Sequence, residues 1–112
     1  MKLINRGFIL VKPKQAYWDW ANQFNDDNVE FSAADESEGS IYLVEEDFFD
    51  VEPLIEKNFK KIFKNELESV NDDTTQWPEK LSIELFQEWF SIDFGSSVFD
   101  LEKTDLLSEK LG

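Results

Sequence analysis

The chain has 112 residues, with 25 acidic and 11 basic side chains, a formal net charge of −14, and no His or Cys. This length suits one domain, and eleven Phe and four Trp predict an aromatic-rich core rather than a disordered chain. The missing His and Cys exclude disulfides, zinc–thiolate sites and thiol or imidazole catalysis, and the charge argues against direct binding to nucleic acid or to anionic membranes.

The first apolar run covers residues 8–11 and is apolar at every position, which is typical of a strand covered on both faces. It is too short for a signal peptide or a membrane span, so we expect a soluble cytoplasmic protein. A helix is predicted to follow from Pro13, which suits the first helical position. Its apolar face recurs at i, i+3, i+4 and i+7 and consists of Tyr17, Trp20, Ala21 and Phe24.

Residues 28–40 allow two interpretations. Val29, Phe31 and Ala33 alternate as in a short edge strand, whereas residues 32–36 could equally begin a helical turn. A second strand is predicted over residues 41–44.

The longest helix is predicted to begin after Asp50, a plausible N-terminal cap. Its apolar stripe consists of Val51, Leu54, Ile55, Phe59, Ile62 and Phe63. On the opposite side lies a lysine stripe made of Lys57, Lys60, Lys61 and Lys64. A solvated face is the plain interpretation of this stripe. Alternatively, it could bind phosphate or an acidic partner, or lie against the acidic residues of this chain or of a second copy.

Ser82 is a candidate cap for a third helix. Beyond it, Ile92, Phe94 and Val98 share one alternating phase, while Phe99 and Leu101 share the other. This predicts either one strand with a bulge near residue 95 or a hairpin there.

The order of these elements predicts an α+β fold, with a single compact domain over residues 1–101. Its small, mostly antiparallel or mixed sheet of three or four strands would pack with two long helices and one short helix. A ferredoxin-like topology is possible only if residues 28–33 form a strand. Residues 102–112 are predicted to be a loosely ordered C-terminal tail.

An acidic segment lies between Lys14 and Lys57, where thirteen carboxylates occur without any Lys or Arg. It lacks the fixed glycine and terminal glutamate of a calcium loop, so we predict no metal site. The plain interpretation is a solvated surface, and the functional one is a docking surface within residues 26–52. Its candidate residues are Asp26, Asp27, Glu30, Asp35, Glu36, Glu38, Glu45, Glu46 and Asp47.

Two tryptophans could add a second contact surface. Trp18 lies about 160° from Trp20 around the helix, so the two cannot be equally buried in one interface. Trp18 and Trp77 are therefore candidate contact residues, because Trp is enriched at interface hot spots. The alternative is that each lines a loop junction within the monomer.

No catalytic constellation stands out. Residues 95–99 match only half of a Gly-x-Ser-x-Gly elbow, because Phe99 stands where the second glycine belongs, and no His completes a triad. Only four glycines occur, so a Gly-rich phosphate loop is excluded. We predict no catalytic residue and no cofactor.

Six short motifs, in order along most of the chain, lie at residues 12–20, 42–46, 62–67, 77–78, 88–90 and 96–101. They include a Pro-Lys-x-x-Tyr-x-x-Trp helix start, a Trp-Pro loop and a closing Ser-x-Val-x-Asp-Leu. In these motifs the chain resembles an uncharacterised family of small acidic bacterial proteins with no assigned activity. Ala16 stands where the family has a second proline, and Gly95 where it has a His. The resemblance implies one compact bacterial domain and no mechanism.

Three functions follow from these patterns. The leading prediction is a non-enzymatic acidic interaction module that binds a basic protein partner or self-associates. The second is a small ligand-binding protein or a carboxylate-based enzyme, with a site near Lys12, Asp19, Trp77, Ser96 and Asp100. The third is a mimic of nucleic acid, which requires a regular row of carboxylates on one face.

Overall fold

The computed structural model describes residues 1–25, 30–35 and 38–111. These residues form an α+β fold, as predicted, with two antiparallel sheets and three α-helices. The strands are β1 (Lys2–Ile4), β2 (Gly7–Pro13), β3 (Ser40–Val44), β4 (Phe90–Gly95) and β5 (Val98–Asp100). The helices are α1 (Gln15–Ala21), α2 (Val51–Glu68) and α3 (Ile83–Trp89), with single 3-10 turns at Asn22–Phe24 and Thr74–Gln76.

The main sheet has the strand order β3-β2-β4, so the first predicted strand lies at its centre. Ile9 and Val11 are completely buried in the core, whereas the alternate residues Phe8 and Leu10 are only partly buried. The side chains of β3 opposite Phe8 and Leu10 are at least half exposed. The expectation that this strand is covered on both faces is therefore wrong, because its second apolar face lies at the surface.

The second sheet pairs β1 with β5, and it continues the ladder between β2 and β4. Between the Ile4–Val98 pair and the Phe8–Gly95 pair, the N-terminal chain has three residues and the other chain has two. The two ladders are therefore separated by an irregular break in which the N-terminal chain has one residue more than the chain opposite. The predicted hairpin near residue 95 is wrong, because β4 and β5 pair with β2 and β1 rather than with each other. The other alternative, one strand with a bulge near residue 95, is closer to the structure, in which two strands follow one another along the N-terminal chain with a break at residues 96–97.

The first helix is shorter than predicted. Pro13 ends β2 opposite Phe90, and α1 begins at Gln15. The described residues 30–33 contain no strand, and a ferredoxin-like topology is not confirmed. Instead, the amide of Asn22 bonds both the backbone N–H and the carbonyl of Phe31, at 2.9 and 2.8 Å. This side chain satisfies the backbone groups that a neighbouring strand would otherwise pair.

The two predicted N-terminal caps, of α2 and α3, have different outcomes. The hydroxyl of Ser82 accepts a hydrogen bond from the N–H of Leu85 at 3.1 Å, which confirms the predicted cap of α3. Asp50 occupies the N-cap position of α2, but its side chain makes no capping bond. The core between the helices and the main sheet is rich in aromatic rings, and Phe63, Phe86 and Phe90 lie within 5.2 to 5.6 Å of one another.

Candidate functional site

A cavity of about 290 Å³ lies at the N-terminal end of β3, where α1 approaches the last turns of α2. Its walls combine aromatic rings, hydroxyl groups and two carboxylates. They are formed by Pro13, Tyr17, Trp18, Glu38, Gly39, Ser40, Glu66 and Ser69. We refer to it as the Glu66 cavity.

Glu66 is the one charged side chain that is buried among the described residues, with 8% of its surface exposed. It follows Ile62 and Phe63 by four and three residues, so the helix places it on the apolar face of α2. Its Oε2 accepts a hydrogen bond from the hydroxyl of Tyr42 at 2.5 Å. Its Oε1 accepts one from the hydroxyl of Ser40 at 3.3 Å. The fold therefore holds this carboxylate in place from the neighbouring strand.

The charge of Glu66 has no counter-ion in the described part of the chain. The one ion pair found there joins Lys2 to Asp105. Lys14, the basic residue nearest to α1 in sequence, donates instead to the carbonyl of Gln87 at 2.8 Å. Hydroxyl donors satisfy part of the acceptor capacity of a buried carboxylate, but they leave its charge uncompensated.

Two tyrosines support the same carboxylate residue. Burial raises the pKa of Tyr42, and the hydrogen bond to Glu66 and its charge raise it further, while a bond from Asn65 opposes the shift. Burial likewise raises the pKa of Tyr17, whose hydroxyl donates to the backbone carbonyl of Glu66 at 2.8 Å. Both phenols therefore stay protonated at neutral pH and act as hydrogen-bond donors.

Trp18 contributes one wall of the Glu66 cavity. Its ring makes an edge contact with Tyr17 and a tilted contact with Phe31, with centroid distances of 5.2 and 5.6 Å. Its indole Nε1–H is buried and has no acceptor in the described part of the chain. A buried donor without a partner is unfavourable and usually finds a partner in protein, water or ligand.

Gly39 lines the Glu66 cavity and lies in close contact with β2. A β-carbon at this position would come within 2.6 Å of the carbonyl oxygen of Val11 and 2.8 Å of the Lys12 side chain. Only glycine allows this approach without a shift of the backbone.

A second cavity, of about 290 Å³, lies at the other end of β3, between the β3–α2 loop and the start of α2. Glu45, Phe48, Phe49 and Asp50 form its loop side. The Phe49 side chain is fully exposed, with a relative exposure of 103%. Within the described residues, none of the carboxylates of this loop forms an ion pair. We refer to residues 45–50 as the acidic-aromatic loop.

The candidate acidic residues are divided between these two ends. Asp26, Asp27 and Glu36 lie outside the described residues. Glu30, Asp35 and Glu38 are exposed before β3, and Glu45, Glu46 and Asp47 are exposed after it. The five residues of β3 separate the groups by roughly 16 Å, at about 3.3 Å per residue.

The other candidate contact residues are partly or fully accessible. The lysine stripe is exposed along its length. Trp18 and Trp77 are both partly buried against the core, and the indole of Trp77 donates to the carbonyl of Asn71 at 2.7 Å.

The residues proposed for a ligand or enzyme site lie on separate elements. Lys12 is on β2, Asp19 on α1 and Asp100 on β5, while Trp77 and Ser96 lie in connecting segments. None of them lines the Glu66 cavity. Sequence reasoning did not select Glu66. The available signal was a carboxylate within the apolar stripe of α2, three and four residues after large hydrophobic residues.

No protein-family model, curated protein or solved structure matches the chain. The resemblance to a family of small acidic bacterial proteins therefore stays a prediction. None of the helices in the described part of the chain is both long and apolar enough to cross a bilayer. The same residues contain no group of three or more carboxylates that could hold a metal ion.

Proposed function

We propose that the protein is a non-enzymatic cytoplasmic interaction module that binds a basic protein partner through the acidic-aromatic loop. The observation that carries this proposal is the full exposure of Phe49 between carboxylates that have no counter-ion among the described residues. An exposed Phe ring is unfavourable in water and gains free energy when a partner buries it. Aromatic side chains of this kind are common hot spots of protein interfaces.

The chemistry of the loop defines the partner. Glu45, Glu46, Asp47 and Asp50 surround two Phe residues in sequence, so a matching surface has an apolar pocket with Lys or Arg at its rim. The apolar contact would supply most of the affinity. The charges would raise the association rate and discriminate against acidic proteins.

The experiment is a capture from lysate of the source organism at low and high salt, followed by titration of the purified partner. We expect Phe49→Ala to lower the affinity at least about ten-fold, because a hot-spot aromatic is lost. The matched control is Phe99→Ala, which removes another exposed Phe, on β5.

The charge contribution is tested with the triple variant Glu45→Gln, Glu46→Gln, Asp47→Asn. It should weaken binding and reduce its salt dependence, since ions screen exposed charges beyond about 8 Å at physiological strength. The control variant neutralises three exposed glutamates elsewhere, at positions 79, 88 and 102. Binding that is indifferent to salt and equal in both triple variants would exclude this surface. Sedimentation of the protein alone tests whether the partner is a second copy.

A further inference from the structure

We infer that the Glu66 cavity binds the guanidinium group of an arginine side chain presented by a peptide or protein. The inference rests on the proposed function for the source of that arginine, a basic protein, and it concerns the opposite end of β3. Glu66 supplies a buried carboxylate without a counter-ion in the described part of the chain. Glu38 adds a second carboxylate on the same cavity wall. An incoming cation would therefore compensate a charge that the fold already holds in a desolvated place.

The walls favour arginine over lysine or a metal ion. Ser40 and Tyr42 each occupy one acceptor site on a different oxygen of Glu66, so each oxygen keeps further lone pairs for a two-pronged donor. The partly exposed Trp18 lines the same cavity, and guanidinium groups stack on aromatic faces and are weakly hydrated. A hard metal ion instead needs several oxygen ligands that converge on one point.

Trp18 contributes an aromatic surface to the Glu66 cavity rather than a hydrogen bond. Its Nε1–H is buried from solvent, so it is not an accessible donor for a ligand. The Glu66 cavity therefore matches the planar cation of arginine through its carboxylates and this aromatic wall.

The test uses Nα-acetyl-arginine N-methylamide as the probe and the citrulline compound, which lacks the charge, as its matched control. Binding is followed by nuclear magnetic resonance at the indole N–H of Trp18 and the backbone amide of Gly39. A fragment of this size should bind with a Kd of about 1 to 10 mM. We expect saturable shifts with the arginine probe and none with the citrulline probe. Equal shifts with both probes, or none with arginine up to about 50 mM, would overturn the inference.

Variants identify the carboxylate. Glu66→Gln should weaken the probe about ten-fold or more, because a desolvated charge pair is lost. Glu68→Gln, an exposed change on the same helix, should leave Kd unchanged. Glu38→Gln, at an exposed position, should weaken binding about three-fold. This variant keeps the test valid if the change at position 66 prevents folding. Equal affinities for all three variants would contradict the assignment.

The inference and the proposed function can fail separately. The inference alone would be overturned if Phe49→Ala abolished partner binding while the arginine probe caused no shifts at the Glu66 cavity. Saturable binding of the arginine probe in a protein that captures no basic partner would instead overturn the proposed function.

Discussion

At one end of β3 the carboxylate of Glu66 is buried beneath two hydroxyl donors, whereas at the other end Glu45, Glu46 and Asp47 are exposed to water. The groups are chemically alike, but their surroundings are opposite. A solvated carboxylate costs the fold little, while a buried one without a counter-ion costs desolvation energy. The comparison shows that charge count alone does not locate the informative carboxylate in an acidic protein. Burial and hydrogen-bond partners do.

The largest expected difference between the two ends concerns stability. Glu66→Ala should lower the free energy of unfolding by about 2 to 3 kcal/mol, because the hydroxyls of Ser40 and Tyr42 lose their acceptor in a part-buried site. Glu45→Ala, at an exposed position, should change it by less than about 0.5 kcal/mol. Urea unfolding of both variants measures the difference. Equal losses of unfolding free energy in the two variants would contradict the difference between the buried and the solvated end of β3.

Gly39 tests how tightly the buried end is built. Gly39→Ala should cost about 2 kcal/mol, because the new β-carbon would meet the backbone carbonyl of Val11. Gly95→Ala should cost about 1 kcal/mol, because there the β-carbon meets the ring of Phe8, which can rotate away. Thermal unfolding of the two variants provides the comparison. A larger loss of stability at position 95 would mean that the backbone around Gly39 can shift to admit the new β-carbon.

The pKa of Tyr42 predicts a smaller effect that depends on pH. Its folded-state pKa is raised above the ordinary value of 10.0 by burial and then by its contact with Glu66. The folded state therefore retains a proton that the unfolded state loses, and this contribution to stability is complete below pH 10 and declines as pH rises further. Tyr42→Phe should remove part of the alkaline decline. The measurement is the free energy of unfolding of the parent and of Tyr42→Phe at several pH values above 9. Equal declines in the two proteins would contradict the prediction.

The smallest effect is expected at the exposed end. The triple variant Glu45→Gln, Glu46→Gln, Asp47→Asn should be slightly more stable than the parent at low salt, because it reduces repulsion in a chain of net charge −14. High salt should remove this gain, since screening weakens the repulsion in both proteins. Denaturation midpoints at two salt concentrations measure it. A loss of stability would reveal that these carboxylates support the fold.

Much of the fold could be predicted from local patterns. The apolar stripe of α2, the Ser82 cap and the strands around residues 8–11 and 41–44 all depend on neighbours close in sequence. The partner of each strand could not be predicted in this way. β1 was missed because Lys2–Ile4 is only three residues long and gains its strand geometry from pairing with β5, nearly a hundred residues away.

The candidate site was harder to predict than the fold. The acidic segment was visible from composition, and its described members are exposed. Glu66 was not selected, because a carboxylate at an apolar helix position is informative only once its partners are known. The hydroxyls of Ser40 and Tyr42 come from β3, and these residues lie 26 and 24 residues before Glu66 in the chain. Only tertiary structure brings those donors to the carboxylate.

The break before β2 divides the pairing of the N-terminal chain with residues 90–100 into two parts, for which we expect unequal protection. The outer ladder of β1 and β5 has three residue pairs, and it can fray without exposing Ile9 or Val11. Its amide hydrogens should therefore exchange with solvent through brief local openings, while those of β2 exchange only when the whole domain unfolds. We therefore expect the break to limit the spread of fraying from β1 and β5 into the centre of the main sheet.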